Sequence, residues 1–431
     1  MKNRVPYLII GNSAAAIGAI EGIRSIDSKR EIVVVSGERE HTYSKPLISY
    51  WLAGKVDNSR MDYRPRDFYK KNSVKTILGN LCVLLDPVKK LIITKDKTVI
   101  KFEKLLLGTG GVPVFPANLA EKKIKGLFTL SNWEDARKIG SFIIKQKVKD
   151  AVVLGGGMIG MKSLEALQKN RIKCSLVELA PHILNPVFDS AASDIAESIL
   201  NKQGVKTLCG TTINRIVDSN GKLEGVVLEN GTEIKCQLLI AAVGVKPNLE
   251  LVKDLPVKTD RGILVNGFLK TTVKDIYAAG DVVQAREILS GKKMNIPILP
   301  NAFRQGWIAG NNMAGKNREY RGCLVKNSIN IGGVPTISVG LSSAGKTGEF
   351  EILKHENKGK NLYKKLVIRE NKIVGALFIG DIERAGIITG LITNGIDISN
   401  VRDILLTPDF GLLRLPTGYR KHIVSGAGTE V

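Results

Sequence analysis

Sulfur is scarce and scattered in this chain. The five cysteines (Cys82, Cys174, Cys209, Cys236, Cys323) are odd in number, and no two have CxxC spacing. That excludes a disulfide framework and a structural zinc site, and it fits a reducing compartment, the cytoplasm. It also excludes a bound iron–sulfur cluster, which needs a tight cysteine run. The four histidines (His41, His182, His355, His422) are isolated and lack ligand spacing, so no metal site is expected. No apolar run approaches the about 20 residues that span a bilayer. The opening "MKNRVPYLIIGNSAAAIGA" mimics a secretory signal, but the same residues make a complete strand, glycine turn and helix start, so we read them as part of the fold. There is no low-complexity tract.

Acidic residues are also outnumbered: 64 Lys and Arg face 41 Asp and Glu, a formal charge of +23. Such a chain attracts acidic partners: a carrier protein, a dinucleotide, nucleic acid or anionic lipid. The basic residues form no run of five and are not interleaved with aromatics, so diffuse surface lysine explains the charge equally well and nucleic acid is not the expected partner. With 431 residues, 43% of them apolar, the chain is long enough for two or three domains with proper cores.

Two segments have the pattern of a strand, a glycine turn, a helix and a second strand. In the first, "VPYLII" leads into "GNSAAA" (Gly11 to Ala16), a helical stretch to about Ile26 and the strand "EIVVV". The turn keeps GxGxxG spacing, with Ser13 and Ala16 in the second and third glycine places. Small residues there, with Ala14 and Ala15 between them, let backbone approach a pyrophosphate at a helix N-terminus. The second, "DAVVLGGGMIGMKSLEALQKNRIKCSLVE", has Gly155, Gly157 and Gly160 in full register, with Met158 and Ile159 inside the turn. Glu178 closes its second strand, 23 positions beyond Gly155. An acid there accepts hydrogen bonds from ribose hydroxyls and repels a 2′-phosphate, which favours NADH over NADPH. Two such units imply two dinucleotides.

Three further segments carry a resemblance. "LLLGTGGVPVFP" (105–116), containing Thr109 and Gly110, is similar to the crossover by which some chains leave a first nucleotide domain. "LLIAAVGVKPNLEL" (238–251), containing Gly244, is similar to the returning crossover. "TTVKDIYAAGDVV" (271–283) resembles a second flavin fingerprint ending in Gly280-Asp281. With the paired units, these resemble the FAD-dependent pyridine-nucleotide oxidoreductases along essentially the whole chain. Within that superfamily the element Tyr43-Ser44-Lys45-Pro46 resembles the nitrite-reductase FAD domain and the rubredoxin and ferredoxin reductases. "GGGMIGMKSLEAL" and "VELAPHIL" are similar to the FAD subunit of oxo-acid:acceptor oxidoreductases.

The resemblance implies an α/β fold of two Rossmann-like domains, one for FAD and one for NAD, plus a C-terminal α+β interface domain that makes dimers. It implies a discontinuous FAD domain (1–112 and 238–318), an inserted NAD domain (113–237) and the interface domain from 319 to 431. Ser131 and Glu134 in "SNWED" read as a capping box opening a helix of the NAD domain. The closing stretch "TPDFGLLRLPTGYRKHIVSGAGTEV" reads as a loop that reaches a partner subunit. Gly11, Ser13, Ala14 and Ala15 would hold the ADP half of FAD, with Lys45, Pro46, Thr109 and Gly110 around it. Asp281 would accept from the ribityl chain, the Val282 N–H would serve flavin oxygens, and the helix bearing Ala302 would aim its N-terminus at the flavin. Gly155, Gly157, Met158, Ile159, Gly160, Glu178 and Gly244 would hold NADH.

Three departures stand out. Ser36 occupies the place of the FAD-ribose acid, leaving Glu38 as the nearest carboxylate. Many members pair a Lys on the helix after the first unit with a Glu after the second glycine motif, and here the matching positions are Tyr50 and Lys162, so the pair is expected to be lost. Lys162, with Lys45, is then the candidate positive charge beside flavin N5. The disulfide- and peroxide-reducing relatives carry cysteine on the helix after the first unit, and "HTYSKPLISYWLAGKVD" has none. Reduced flavin must therefore pass electrons directly to a docked acceptor: an iron–sulfur or rubredoxin-type carrier, a partner subunit, or oxygen. The expected function is an NADH-dependent FAD oxidoreductase of electron transfer. The alternatives are an NADH oxidase and a non-catalytic binder of DNA or protein.

Overall fold

The computed structural model describes residues 4–120, 124–345 and 348–415. Its first sheet grows from β1 (Val5–Ile10), followed by α1 (Ala14–Arg24) and β2 (Ile32–Ser36). A short helix, α2 (Ile48–Leu52), precedes β3 (Val74–Leu78), and the long strand β4 (Val99–Leu107) completes the parallel core. The order is β3-β2-β1-β4, with all pairs parallel. The strands β1 and β2 are covered on both faces, which is why they read as unbroken apolar runs rather than alternating ones. The first half of β4 pairs antiparallel with Leu91–Thr94, which pairs in turn with Cys82–Asp86 at the sheet's end.

The second nucleotide fold follows. Its elements are α3 (Trp133–Gln146), β5 (Asp150–Leu154), α4 (Met158–Lys169), β6 (Lys173–Glu178) and β7 (Leu238–Ala241). Parallel pairs join β6 to β5 and β5 to β7. The cap of α3 lies one residue later than Ser131 and Glu134 suggest. Asn132 accepts from the Asp135 N–H at 2.8 Å, and the Asp135 carboxylate takes the Ser131 N–H and hydroxyl in return. An aspartate, shorter than a glutamate, closes the reciprocal cap from four residues ahead. The two crossovers form an antiparallel ribbon, Gly111–Pro113 against Val245–Pro247.

The chain then re-enters the first sheet as β8 (Ile276–Ala278), parallel to β4, and continues into α5 (Leu299–Met313). The helices α1 and α5 meet backbone to backbone. A Cβ on Gly306 would sit 1.9 Å from the Ala15 carbonyl oxygen, and one on Gly310 would sit 2.3 Å from that of Ala19. Reciprocally, a Cβ on Gly18 would lie 2.1 Å from the Phe303 oxygen, and one on Gly22 would lie 2.2 Å from that of Trp307. Glycine on both faces is what lets the helices approach this closely.

By contact the chain divides into two units: Met1–Val177 with Thr212–Cys323, and Glu178–Thr211 with Leu324–Val431. The three-part layout read from the sequence divides it by fold instead. The second unit holds a five-stranded antiparallel sheet ordered Lys326–Ile331, Val334–Gly340, Lys372–Ile379, Leu362–Arg369, Glu351–Asn357, with the helix Ala385–Asn394. Within it, Asp189 caps the helix Ser190–Lys202 and accepts from Tyr363 Oη at 2.7 Å and Lys365 Nζ at 2.9 Å. Lys365 is 1% exposed, so its charge depends on that carboxylate. Residues 416–431, most of the stretch expected to reach a partner, lie outside the described residues.

The helix contact yields a test. Gly306→Val should cost about 2 kcal/mol or more of stability, because backbone atoms cannot move aside as a side chain would. Denaturant unfolding of the full chain would read the loss, and a stability unchanged from the wild type would contradict the packing described.

Candidate functional site

At the end of β1, Gly11 has φ +111°, and a Cβ there would lie 2.1 Å from the Gly108 carbonyl oxygen. Only glycine tolerates both the conformation and the approach. Asn12 is locked by donating to the Glu40 oxygen at 3.1 Å and accepting from Tyr69 Oη. Ser13 is the extended N-cap of α1, yet its side chain makes no cap bond, and no acid lies in the first turn. The helix therefore opens on uncapped N–H groups beside small residues, Ala14, Ala15 and Ala16, an arrangement that suits a phosphate.

Across from this turn, Gly280 donates to Gln305 Oε1 at 2.8 Å, and a Cβ on it would come 3.1 Å from Ala15 and 3.6 Å from Ala302. Asp281 follows. Burial pushes its carboxyl above the ordinary carboxylate range, and the only opposing influence is the Lys45 charge. Among the described residues it accepts no hydrogen bond. A desolvated carboxylate without a protein donor fits a hydroxyl-bearing ligand, as the ribityl chain of FAD would be. Thr109 donates to the Asn248 oxygen at 2.9 Å, Gly110 accepts from the Asn248 N–H at 2.9 Å, and Pro46 is the second residue of a single 3₁₀ turn, Lys45–Leu47.

The second turn is built the same way. Gly155, φ +107°, donates to the Val177 oxygen at 2.7 Å, and a Cβ would lie 2.5 Å from the Ala242 oxygen. Gly160 packs so closely that a Cβ would be 1.9 Å from the Gly155 oxygen. Gly157, by contrast, is the N-cap of α4 with nothing within 4 Å of its Cβ position and no side-chain cap bond. Met158 and Ile159 form the first helical turn beside that open space. Gly244 also faces open space, and its carbonyl accepts from the Val114 N–H. Glu178 is the last residue of β6, and its carboxylate accepts from the Ala180 N–H at 2.6 Å.

The two candidate lysines have separate protein partners. Lys45 Nζ donates to Glu38 at 2.9 Å, and Tyr43 Oη donates to the other Glu38 oxygen at 2.6 Å. Both oxygens of the candidate ribose acid are therefore engaged by the protein, and Lys45 neutralises Glu38. At positions 50 and 162 no opposite-charge pair stands, yet the two side chains bond to each other. Lys162 Nζ donates to Tyr50 Oη at 2.8 Å and to Glu165 at 3.0 Å, and Lys55 meets the other Glu165 oxygen at 2.6 Å. Burial pulls Lys162 down, but the hydrogen bonds to Tyr50 and Glu165 outweigh it and hold the ammonium above its ordinary value. The half-buried Glu165 is driven below its usual range by the two lysines, against its own desolvation. Glu165 and Lys55 escaped the sequence reading, although the i,i+3 spacing of Lys162 and Glu165 was a usable signal.

This cluster joins the helix following the first turn to the helix opened by the second. Asn170 adds a donation to the Leu52 carbonyl at 2.8 Å. Tyr43 Oη also accepts from the Trp133 N–H at 3.1 Å, which ties the Glu38 loop to α3. Among the described residues no cysteine lies at this junction. Cys82, Cys174 and Cys236 are buried, with thiols pushed up to about 11, about 12 and about 12 by desolvation. Such thiols carry no thiolate near neutral pH. Among the described residues, no three His, Cys, Asp or Glu side chains could hold a metal ion, and no helix is long and apolar enough to cross a membrane.

Residues 5–306 match the family described as pyridine nucleotide-disulphide oxidoreductase, and residues 326–396 match the rubredoxin NAD+ reductase C-terminal domain. The chain is 31% identical to the epsilon subunit of the NADH-dependent phenylglyoxylate dehydrogenase of Aromatoleum evansii, over 92% of this chain and 93% of that protein. It is 27% identical to the nitrite reductase [NAD(P)H] of Bacillus subtilis over 92% of this chain, but spans only 48% of that enzyme. The crystal structure of the NADH:rubredoxin oxidoreductase of Clostridium acetobutylicum is similar with TM-score 0.75 and 27% identity, covering 92% of this chain and 96% of that one. Two glycine-turn folds, an open carboxylate at Asp281 and matches running from Val5 to Ile396 lead to one conclusion: the chain belongs to the pyridine nucleotide-disulphide oxidoreductase family, as an NAD(P)H-dependent FAD enzyme.

Proposed function

We propose that this enzyme oxidises NADH and passes the electrons from its flavin directly to an iron-centred carrier protein or partner subunit. The observation that carries the reading is the junction beside α2, where Tyr50, Lys162, Glu165 and Lys55 stand and no thiol does. Without a thiolate there is no internal disulfide to relay electrons. The name of the phenylglyoxylate dehydrogenase subunit supports a role within a larger assembly, and that of the rubredoxin oxidoreductase supports a small carrier.

The chain's own residues divide the work. The uncapped start of α1, with Gly11, Ser13, Ala14 and Ala15, receives the FAD pyrophosphate, and Asp281 takes a ribityl hydroxyl. Gly157 and the first turn of α4 receive the NADH pyrophosphate, and Glu178 takes the adenosine ribose. FAD supplies the switch from hydride acceptance to single-electron release. Lys162 supplies a fixed positive charge where the two nucleotide folds meet, and its bond to Tyr50 holds it there. The surplus of 23 positive charges favours an acidic carrier. A cytoplasmic location and a homodimer complete the proposal. The free cysteines support the first, and the second is what the family resemblance implies.

The direct experiment is anaerobic NADH oxidation with an acidic ferredoxin or rubredoxin as acceptor. Turnover per unit of carrier should fall roughly tenfold between low and half-molar salt. Efficient oxygen reduction with no carrier turnover would instead favour an NADH oxidase. The cluster at the junction makes a second expectation. Lys162→Glu should lower the midpoint potential of the bound flavin by roughly 30 mV or more, because it replaces a cation by an anion. Spectroelectrochemistry would show it, and an unchanged potential would remove Lys162 from the flavin's surroundings.

A further inference from the structure

Large apolar side chains are left exposed at few places in the described structure, and they cluster. Of the fourteen exposed large hydrophobic residues, five lie within Leu81–Val99: Leu81, Val83, Leu84, Val88 and Val99. This is the antiparallel meander at the end of the first sheet. Its inner face, with Leu85, Ile92 and Ile100, belongs to the core. Its outer face aligns Leu84 with Ile93 and Ile93 with Val99 across three strands. Val83 is the extra residue of a β-bulge beside them, and Val88, in the turn between two of the strands, is 89% exposed. The outermost strand, Cys82–Asp86, pairs with no second strand on its far side among the described residues.

The charge here is one-sided. Between Leu81 and Lys101 stand five lysines and two aspartates, and Lys90 is paired with Asp275 at 2.5 Å, which leaves a surplus of two positive charges. The aspartates are turned inward on the chain itself. Asp86 accepts from the Val88 and Lys89 N–H groups, and Asp96 accepts from Thr94 and the Thr98 N–H. Lys95, Lys97 and Lys101 are exposed and make no ion pair among the described residues.

Composition decides among the occupants. A second copy would set one positive surplus against another. Protein interfaces are rich in Tyr, Trp, Met and Arg and poor in Lys, whereas the outer face here is Leu, Val, Ile and Lys. Nucleic acid offers nothing to a row of aliphatic side chains. Aliphatic side chains ringed by long-stemmed lysines suit the boundary between acyl chains and anionic headgroups. We propose that the outer face of the 81–101 meander is a peripheral docking surface for an anionic lipid bilayer.

The test is co-sedimentation of the full-length flavin-loaded protein with vesicles of equal parts phosphatidylglycerol and phosphatidylcholine, against pure phosphatidylcholine vesicles. Three triple variants separate the patch from general charge. One removes apolar surface (Leu84→Ser, Val88→Ser, Val99→Thr). One reverses the local charge (Lys95→Glu, Lys97→Glu, Lys101→Glu). One reverses three exposed lysines elsewhere (Lys145→Glu, Lys173→Glu, Lys292→Glu). The wild type should bind the anionic vesicles alone. The first two variants should lose binding by about tenfold or more and the third by far less. Thermal unfolding checks each variant, and if the apolar triple does not fold, the two charge triples decide. No binding to anionic vesicles, or equal losses from both charge triples, would overturn the proposal. So would a concentration-dependent dimer abolished by the apolar triple.

Discussion

Everything on the flavin side of this enzyme hangs on the contact between α1 and α5. Four glycines, two on each helix, let carbonyl oxygens of one backbone sit where the other's Cβ atoms would be. The consequence is geometric. The approach brings Ala302 under Gly280, and Gly280 under Ala15. The uncapped start of α1, the turn before Asp281 and the first turn of α5 are thereby fixed against one another by backbone, which does not change rotamer. A long cofactor gripped at several points needs that rigidity, because each grip is useful only if the others are in register. Gln305 adds a directional bond, accepting the Gly280 N–H from inside the same helix.

The junction between the nucleotide folds is held differently, by charge. Tyr50 and Lys162 occupy places where an opposite-charge pair is the familiar solution, yet they still bond to each other at 2.8 Å. A phenol can accept from an ammonium but cannot neutralise it, so the counter-charge is supplied one helical turn on, by Glu165, which Lys55 shares. The cluster carries two cations to one anion. Beside a flavin, as proposed, that imbalance would favour the reduced, more anionic form, and it requires no cysteine. The junction thus holds a fixed positive charge and no cysteine.

Much of this was legible in the chain. The glycine turns were readable because close backbone approach and positive φ leave few alternatives to Gly11 and Gly155. The strands were readable because parallel pairing buries both faces. The α1–α5 contact was not, because glycines at 18, 22, 306 and 310 signal a close approach without naming the partner. The capture of Glu38 by Tyr43 and Lys45 was hidden for the same reason, since it depends on how a loop folds back over seven residues. The α3 cap slipped by one because Asn132 and Asp135 compete with Ser131 and Glu134 for the same role, and only backbone geometry decides between them. Asp281 shows the opposite case: its place at the end of a strand was plain, but the structure was needed to find it desolvated and without a donor.

The central claim is that the flavin is the sole electron store in this chain, with no thiol behind it. An anaerobic titration of the purified protein with NADH, followed by absorbance, tests it most directly. The account predicts that the flavin band bleaches completely with one equivalent of NADH per bound flavin, with no thiol-to-flavin charge-transfer band on the way. A second equivalent consumed before full bleaching would reveal a reducible disulfide and contradict it.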